Sequence, residues 1–98
     1  MNEFNWKEYD WSQAVGPGWK HLVDPLQEYA KAHDLRIKQV KEKFGGLRFY
    51  SEWDDQFVKL INEAEDVSVF TCDVCGKPGK IRGGGWLMTR CDEHSGGR

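Results

Sequence analysis

Long apolar runs are missing from this chain. No stretch approaches the roughly 18 consecutive apolar residues of a membrane span, so nothing in it is expected to cross a bilayer. Cysteine is scarce and odd in number, three in 98 residues. The opening MNEFNWKEYDW has no basic region followed by an apolar segment, so no secretory signal is expected. Reduced thiols in a cytosol follow as the expectation. The means of catalysis are also lacking. No Ser12, Ser51, Ser68 or Ser95 sits in a nucleophile elbow, and the glycines form no phosphate-binding loop. Apart from His94, the histidines are His21 and His33, which make no ligand-spaced pair. A zinc deaminase would carry His-x-Glu upstream of Pro-Cys-x-x-Cys; here there is no His-x-Glu, and Thr71 precedes Cys72. The carboxylates show no spacing that selects an acid–base pair. The chain therefore reads as a non-enzyme without a small-molecule substrate.

What is present is small, polar and rich in rings. Ninety-eight residues make one compact domain. The 39% hydrophobic share and a mean hydropathy of -0.73 point to a thin core that a staple would help. The 13% aromatic content, with five tryptophans, argues against disorder. Phe4, Trp6, Tyr9 and Trp11 crowd residues 1–15, which read as an aromatic strap laid on the domain, or as a partner-docking arm.

The periodicities divide residues 16–70 into a helix–hairpin–helix body. Gly16-Pro17-Gly18 is a turn. Trp19, Leu22, Val23, Leu26, Tyr29 and Ala30 recur at helical spacing. Asp24-Pro25-Leu26-Gln27 looks like a capped start, which predicts a short turn at 18–23 and a helix from 25 to about 33. Leu47 and Phe49 alternate with Arg48 and Tyr50 as in a strand, and Gly45-Gly46 offers a two-residue hairpin loop. In the first strand Leu35 and Ile37 are out of phase with Val40, which a bulge near Gln39 would repair. Phe57, Leu60, Ile61 and Ala64 mark a second helix over 54–66, with Trp53 extending its stripe and VSVF leading on as an extended piece.

Charge is segregated behind a formal net charge of -2. Residues 36–50 carry Arg36, Lys38, Lys41, Lys43 and Arg48 against the single Glu42. Residues 51–73 carry Glu52, Asp54, Asp55, Glu63, Glu65, Asp66 and Asp73 against Lys59 alone. The first set, with Tyr50 for stacking, is a candidate nucleic-acid face. The second, without Asp73, is a candidate acidic partner-binding surface.

The sharpest motif closes the chain. Cys72-x-x-Cys75 and Cys91-x-x-His94 offer three soft thiolates and one imidazole, a full tetrahedral set for one structural zinc ion. Gly76 suits a tight knuckle, KIRGGGWLMT spans a loose hairpin, and Cys91 and His94 fit the first turn of a terminal helix. Four protein ligands leave no position for a reactive water, so the zinc is expected to hold the chain rather than do chemistry. The fold class is thus α+β: a helix–β-hairpin–helix body with a C-terminal treble-clef-like Cys3His finger over 71–98.

With VKEKFGGLRFY, CDVCGKPGK and GGWLMTRCDEH, residues 16–98 resemble a family of small phage and prophage proteins that join such a body to a four-ligand finger. A zinc-containing member of the type II anti-CRISPR group is similar in build. The resemblance implies a phage-encoded inhibitor in the cytoplasm of a bacterial host, binding a CRISPR effector nuclease and blocking target DNA loading or cleavage. The acidic set would then stand in for phosphate in the nuclease's basic channel. Direct nucleic-acid binding through the basic set is the alternative, weakened by a pI near 5.9. Docking on RNA polymerase is a third.

Overall fold

The apolar stripe that begins at Trp19 does form one helix, but without the expected break. A 3-10 turn over Pro17–Trp19 runs directly into α1, Lys20–Ala32, with Pro25 inside it. Proline removes one backbone donor and crowds the carbonyl four residues back. The helix continues because Trp19, Val23, Leu26 and Ala30 are all buried along one side, and interrupting it would expose that stripe. Asp24 is not a cap; it pairs with Lys20 at 2.9 Å one turn earlier. Gln27 does not complete a capping box either. Its Nε2 donates to the Tyr9 carbonyl at 2.6 Å, and its Oε1 accepts from the Trp11 amide at 3.2 Å, clamping the preceding segment onto α1.

The structure is a computed structural model that describes residues 4–83 and 85–96. Residues 1–3 of the expected strap, and residues 84, 97 and 98 of the expected finger, lie outside the described residues. The strap carries a 3-10 turn over Trp11–Ala14. Trp6 and Trp11 are buried, and Trp11 Nε1 donates to the Trp6 carbonyl at 2.8 Å, so the ring gains burial without stranding its donor.

Strands β1, Ile37–Lys43, and β2, Gly46–Ser51, form an antiparallel hairpin. Its register shifts between Ile37 and Gln39, the bulge that the phase conflict required. Val40 and Phe49 face each other on the buried side. The loop is displaced by one residue from the expected Gly45-Gly46. Lys43 pairs with Gly46, so Phe44 and Gly45 form the turn, at φ 54° and 83°. Two central residues at positive φ match the twist of a hairpin, but for a residue with a Cβ that conformation costs about 1–2 kcal/mol.

Helix α2, Asp55–Ser68, covers the hairpin. Asp54 caps it by accepting from the Phe57 amide at 2.9 Å. Phe57 and Ile61 are buried, whereas Trp53 is 75% exposed and does not extend the stripe. The residues expected to be an extended VSVF piece begin instead as the last turn of α2. That turn has a reason: Ser68 is fully buried, and its Oγ accepts from the Leu47 amide at 2.9 Å. One turn earlier, Glu65 accepts from the Phe49 amide at 2.9 Å. Two helix side chains thus satisfy the outward amides of β2. Tyr29 ties the helices together, stacking on Phe57 and donating its hydroxyl to Asp54 at 3.2 Å.

A second small antiparallel sheet follows, β3 at Lys80–Arg82 and β4 at Met88–Arg90. The fold class is α+β, with two α-helices and two two-stranded sheets among the described residues. Among the described residues no helix is long and apolar enough to cross a membrane.

The hairpin supplies a paired stability test. Phe49→Ala should cost about 3–5 kcal/mol by opening the core. Phe44→Asn, which places a residue tolerant of positive φ at an exposed tip, should cost nothing and stabilise by up to about 1 kcal/mol. Thermal unfolding of the two variants beside wild type checks the pair; a destabilised Phe44→Asn would contradict the turn geometry.

Candidate functional site

The segment after α2 folds back tightly. The Gly76 amide donates to the Cys72 carbonyl at 2.9 Å and the Cys72 amide to the Lys77 carbonyl at 2.8 Å, closing a knuckle in which Gly76 takes φ 81°. After β3 and β4, Cys91 precedes a single 3-10 turn, Asp92–His94. The result brings together the four residues singled out in the sequence. One ligand atom from each of Cys72, Cys75, Cys91 and His94 lies within 4.8 Å of all the others.

The spacings suit a shared ion. Tetrahedral bonds of about 2.3 Å to sulfur and 2.0–2.1 Å to nitrogen place two sulfurs about 3.8 Å apart, and sulfur and nitrogen about 3.6 Å apart. Cys75 Sγ and Cys91 Sγ are separated by 3.7 Å, Cys72 Sγ and His94 Nδ1 by 3.7 Å, and Cys91 Sγ and His94 Nδ1 by 3.2 Å. The donors are those that bind soft and borderline metals.

The electrostatics point the same way. Burial pushes the Cys72 thiol up, but the amides of Cys91, Cys75 and Val74 directed at its sulfur outweigh burial and bring it from 9.0 down to about 6. Cys75 moves the other way. The Lys77 amide pulls its thiol down, yet desolvation and the neighbouring sulfurs of Cys91 and Cys72 raise it overall. Several thiolates at this spacing repel each other unless a cation joins them, and a cation is what the donor set accepts.

Supporting contacts fix the frame. Arg82 is buried; its Nε donates to the Arg90 carbonyl at 3.0 Å and its guanidinium pairs with Asp92 at 2.7 Å, joining β3 to the turn that carries His94. That guanidinium also holds the Asp92 carboxyl below the usual range. Toward the body, Trp19 is completely buried and its Nε1 donates to the Thr71 carbonyl at 2.8 Å, while the Gly18 amide donates to the Asp73 carbonyl at 2.8 Å. A Cβ on Gly18 would stand 2.0 Å from the Cys72 carbonyl oxygen. The periodicity placed Trp19 on a helix but held no sign of this second duty. The Gly-Pro-Gly turn was its available signal.

The two charged sets fare differently. Of the acidic residues, Asp54 caps α2 and receives Tyr29, Glu65 receives the Phe49 amide, Glu52 receives the Arg36 amide at 2.9 Å, and Asp55 receives Trp53 Nε1 at 2.9 Å. Glu63 and Asp66 are left exposed near the far end of α2. Glu52, Asp54 and Asp55 lie at the start of the helix and Glu63, Glu65 and Asp66 about two to three turns on, while Glu52 and Glu65 line one cleft together with Lys38 and Tyr50.

Part of the basic set converges. Lys41 lies opposite Arg48, Gln39 opposite Tyr50 and Lys43 opposite Gly46, all on the side of the hairpin away from Val40 and Phe49. Lys41 Nζ sits 5.7 Å from the Tyr50 ring centroid. Lys38, in the bulge, and Arg36 just before β1 are exposed at the far end.

Metal ligation needs deprotonated thiols, so the lowered Cys72 thiol has a consequence for pH. A folded value below the unfolded one gives stabilisation that is full above the unfolded value of 9.0 and lost as pH falls through about 6. Retention of a bound metal, followed with a chromogenic chelator between about pH 8 and pH 5, should decline as pH falls and protons compete for the thiolates. Retention unchanged at the acid end would show that thiolates do not hold the ion. Compared with family models, with curated proteins and with solved structures, the chain matches none, which leaves its function to be argued from its own residues.

Proposed function

We propose that this chain is a non-catalytic binding protein, stapled by one structural zinc ion, whose working face is the outer side of the β1–β2 hairpin and whose ligand is the phosphodiester backbone of nucleic acid. Zinc is favoured over other ions because three thiolates and one imidazole are one of its usual structural ligand sets. Knuckle, hairpin and a ligating terminal turn also follow each other in the order of a treble clef. With every position of the ion taken by protein, the metal's role is to order the segment.

The observation that carries the binding reading is the composition of one sheet face. Lys41, Lys43 and Arg48 come from two strands onto the same side with Tyr50. Glu42, the one acid in β1, falls on the other side opposite Leu47, where it accepts from the Gly45 amide at 2.7 Å. A net charge of -2 therefore coexists with a locally cationic surface, which is what backbone contacts require. The expected mimicry of phosphate by the acidic helix has less behind it, since four of the six carboxylates serve the fold. Inhibition of an RNA-guided nuclease fits this face if it meets the guide or target strand rather than the nuclease's basic channel.

Metal analysis should find about one zinc per chain, and Cys91→Ser should lose it. Structural zinc in finger peptides contributes on the order of 10 kcal/mol of folding free energy, so a strong chelator should melt the segment from residue 72 onward. A metal-free protein with an unchanged melting curve would sink the staple.

For binding, Lys41→Glu with Arg48→Glu should weaken capture of nucleic acid at least about tenfold, and the wild-type affinity should fall steeply with salt. Asp55→Lys with Glu63→Lys should leave it intact or improve it. If the acid reversal instead abolishes inhibition of target-DNA cleavage by a type II nuclease while the base reversal does nothing, acidic mimicry replaces this reading.

A further inference from the structure

Phe44 is an odd choice for the hairpin tip. It occupies a positive-φ position that asparagine or glycine would fill without strain, yet its ring is 66% exposed, so packing does not account for it. Beyond the tip, Trp86 is 69% exposed and Leu87 is also exposed. The three side chains, with Glu42, Lys43 and Gly85, line an open cleft of about 470 Å³ between the hairpin tip and the residues leading into β4. That volume falls within the roughly 300–1,000 Å³ of sites for small organic groups. The hairpin tip that forms one wall is fixed against β4. Thr89 Oγ1, buried in β4, donates to the Gly45 carbonyl at 2.5 Å, and the Gly45 amide is held by Glu42.

Charges of both signs border the cleft, Lys43 and Glu42. Lys43 Nζ lies 5.5 Å from the Phe44 ring centroid, and Lys41 with Arg48 continues the cationic face along the hairpin. The Glu42 carboxylate at the lining, one oxygen of which receives the Gly45 amide, can accept from an N–H on a base edge, such as thymine N3–H, and is not suited to meet a phosphate. A cation, two aromatic side chains and one acceptor along the same lining match the phosphate, base face and base edge of a nucleotide.

We propose that this cleft receives an unpaired base of single-stranded nucleic acid, stacked on Phe44 and Trp86, with the strand's backbone along Lys43, Lys41 and Arg48. The proposal rests on the hairpin face binding phosphodiester and adds that the preferred form is single-stranded, because a paired base keeps its faces in the duplex stack.

The test uses the full-length zinc-loaded protein and fluorescence anisotropy with three labelled probes of equal length: oligothymidylate, the same strand in duplex with oligoadenylate, and an abasic strand. Wild type should prefer oligothymidylate to the other two by about tenfold, the order of magnitude of one base stacked on an aromatic side chain. Phe44→Asn, which should fold at least as well as wild type, should erase that preference and leave duplex and abasic binding unchanged. Trp86→Ala should act in the same direction. Lys41→Glu with Arg48→Glu should weaken all three probes together. Equal affinity for the abasic strand and oligothymidylate, or a Phe44→Asn variant that keeps the preference, overturns the base-binding cleft while the cationic face stands. No binding of any probe overturns both.

Discussion

Among the described glycines, the least room is left where the Gly16-Pro17-Gly18 turn meets the backbone of Cys72 and Asp73. A methyl group on Gly16 would stand 2.1 Å from the Asp73 carbonyl oxygen, and one on Gly18 2.0 Å from that of Cys72. These are backbone atoms, which cannot move aside as the end of a flexible side chain can. The start of α1, the burial of Trp19 and the position of the first two cysteines are therefore set by one contact. Closing the ligand group also closes the body, because Cys72 belongs to both. A small protein with a thin core gains from such sharing, since one constraint orders two segments that neither could order alone.

How much was legible beforehand depended on whether the signal was local. Cys72, Cys75, Cys91 and His94 could be read directly, because ligand spacing is a property of neighbouring residues and three-dimensional folding only had to bring two pairs together. The bulge near Gln39 was also legible, as a phase conflict within one strand. Pro25 misled because local capping chemistry was convincing, while the burial that overrides it involves partners elsewhere in the chain. The turn at Phe44-Gly45 was misplaced by one residue for a related reason. Gly45-Gly46 is the easier pair for positive φ, but the pairing of Val40 with Phe49 sets the register and leaves Phe44 in the strained position.

The charged residues teach a complementary lesson. Counting carboxylates along 52–66 produces an acidic surface, yet most of those carboxylates turn out to be acceptors for specific amides, a phenol and an indole. Nothing in the composition separates a carboxylate spent on a backbone amide from one facing water. The cations of 36–48 are easier to judge, because strand alternation alone assigns Lys41, Lys43 and Arg48 to the side opposite Val40 and Phe49.

The way α2 meets β2 has one more consequence. A two-stranded hairpin normally offers two raw edges, each a template on which another chain can add a strand. Here Ser68 and Glu65 occupy the outward amides of Leu47 and Phe49, so the β2 edge has no donors left at those positions. Growth of the sheet from that side would first require α2 to lift away, taking Phe57 and Ile61 out of the core. The same two polar side chains that complete the fold thus guard it against domain swapping and fibril-like stacking through β2.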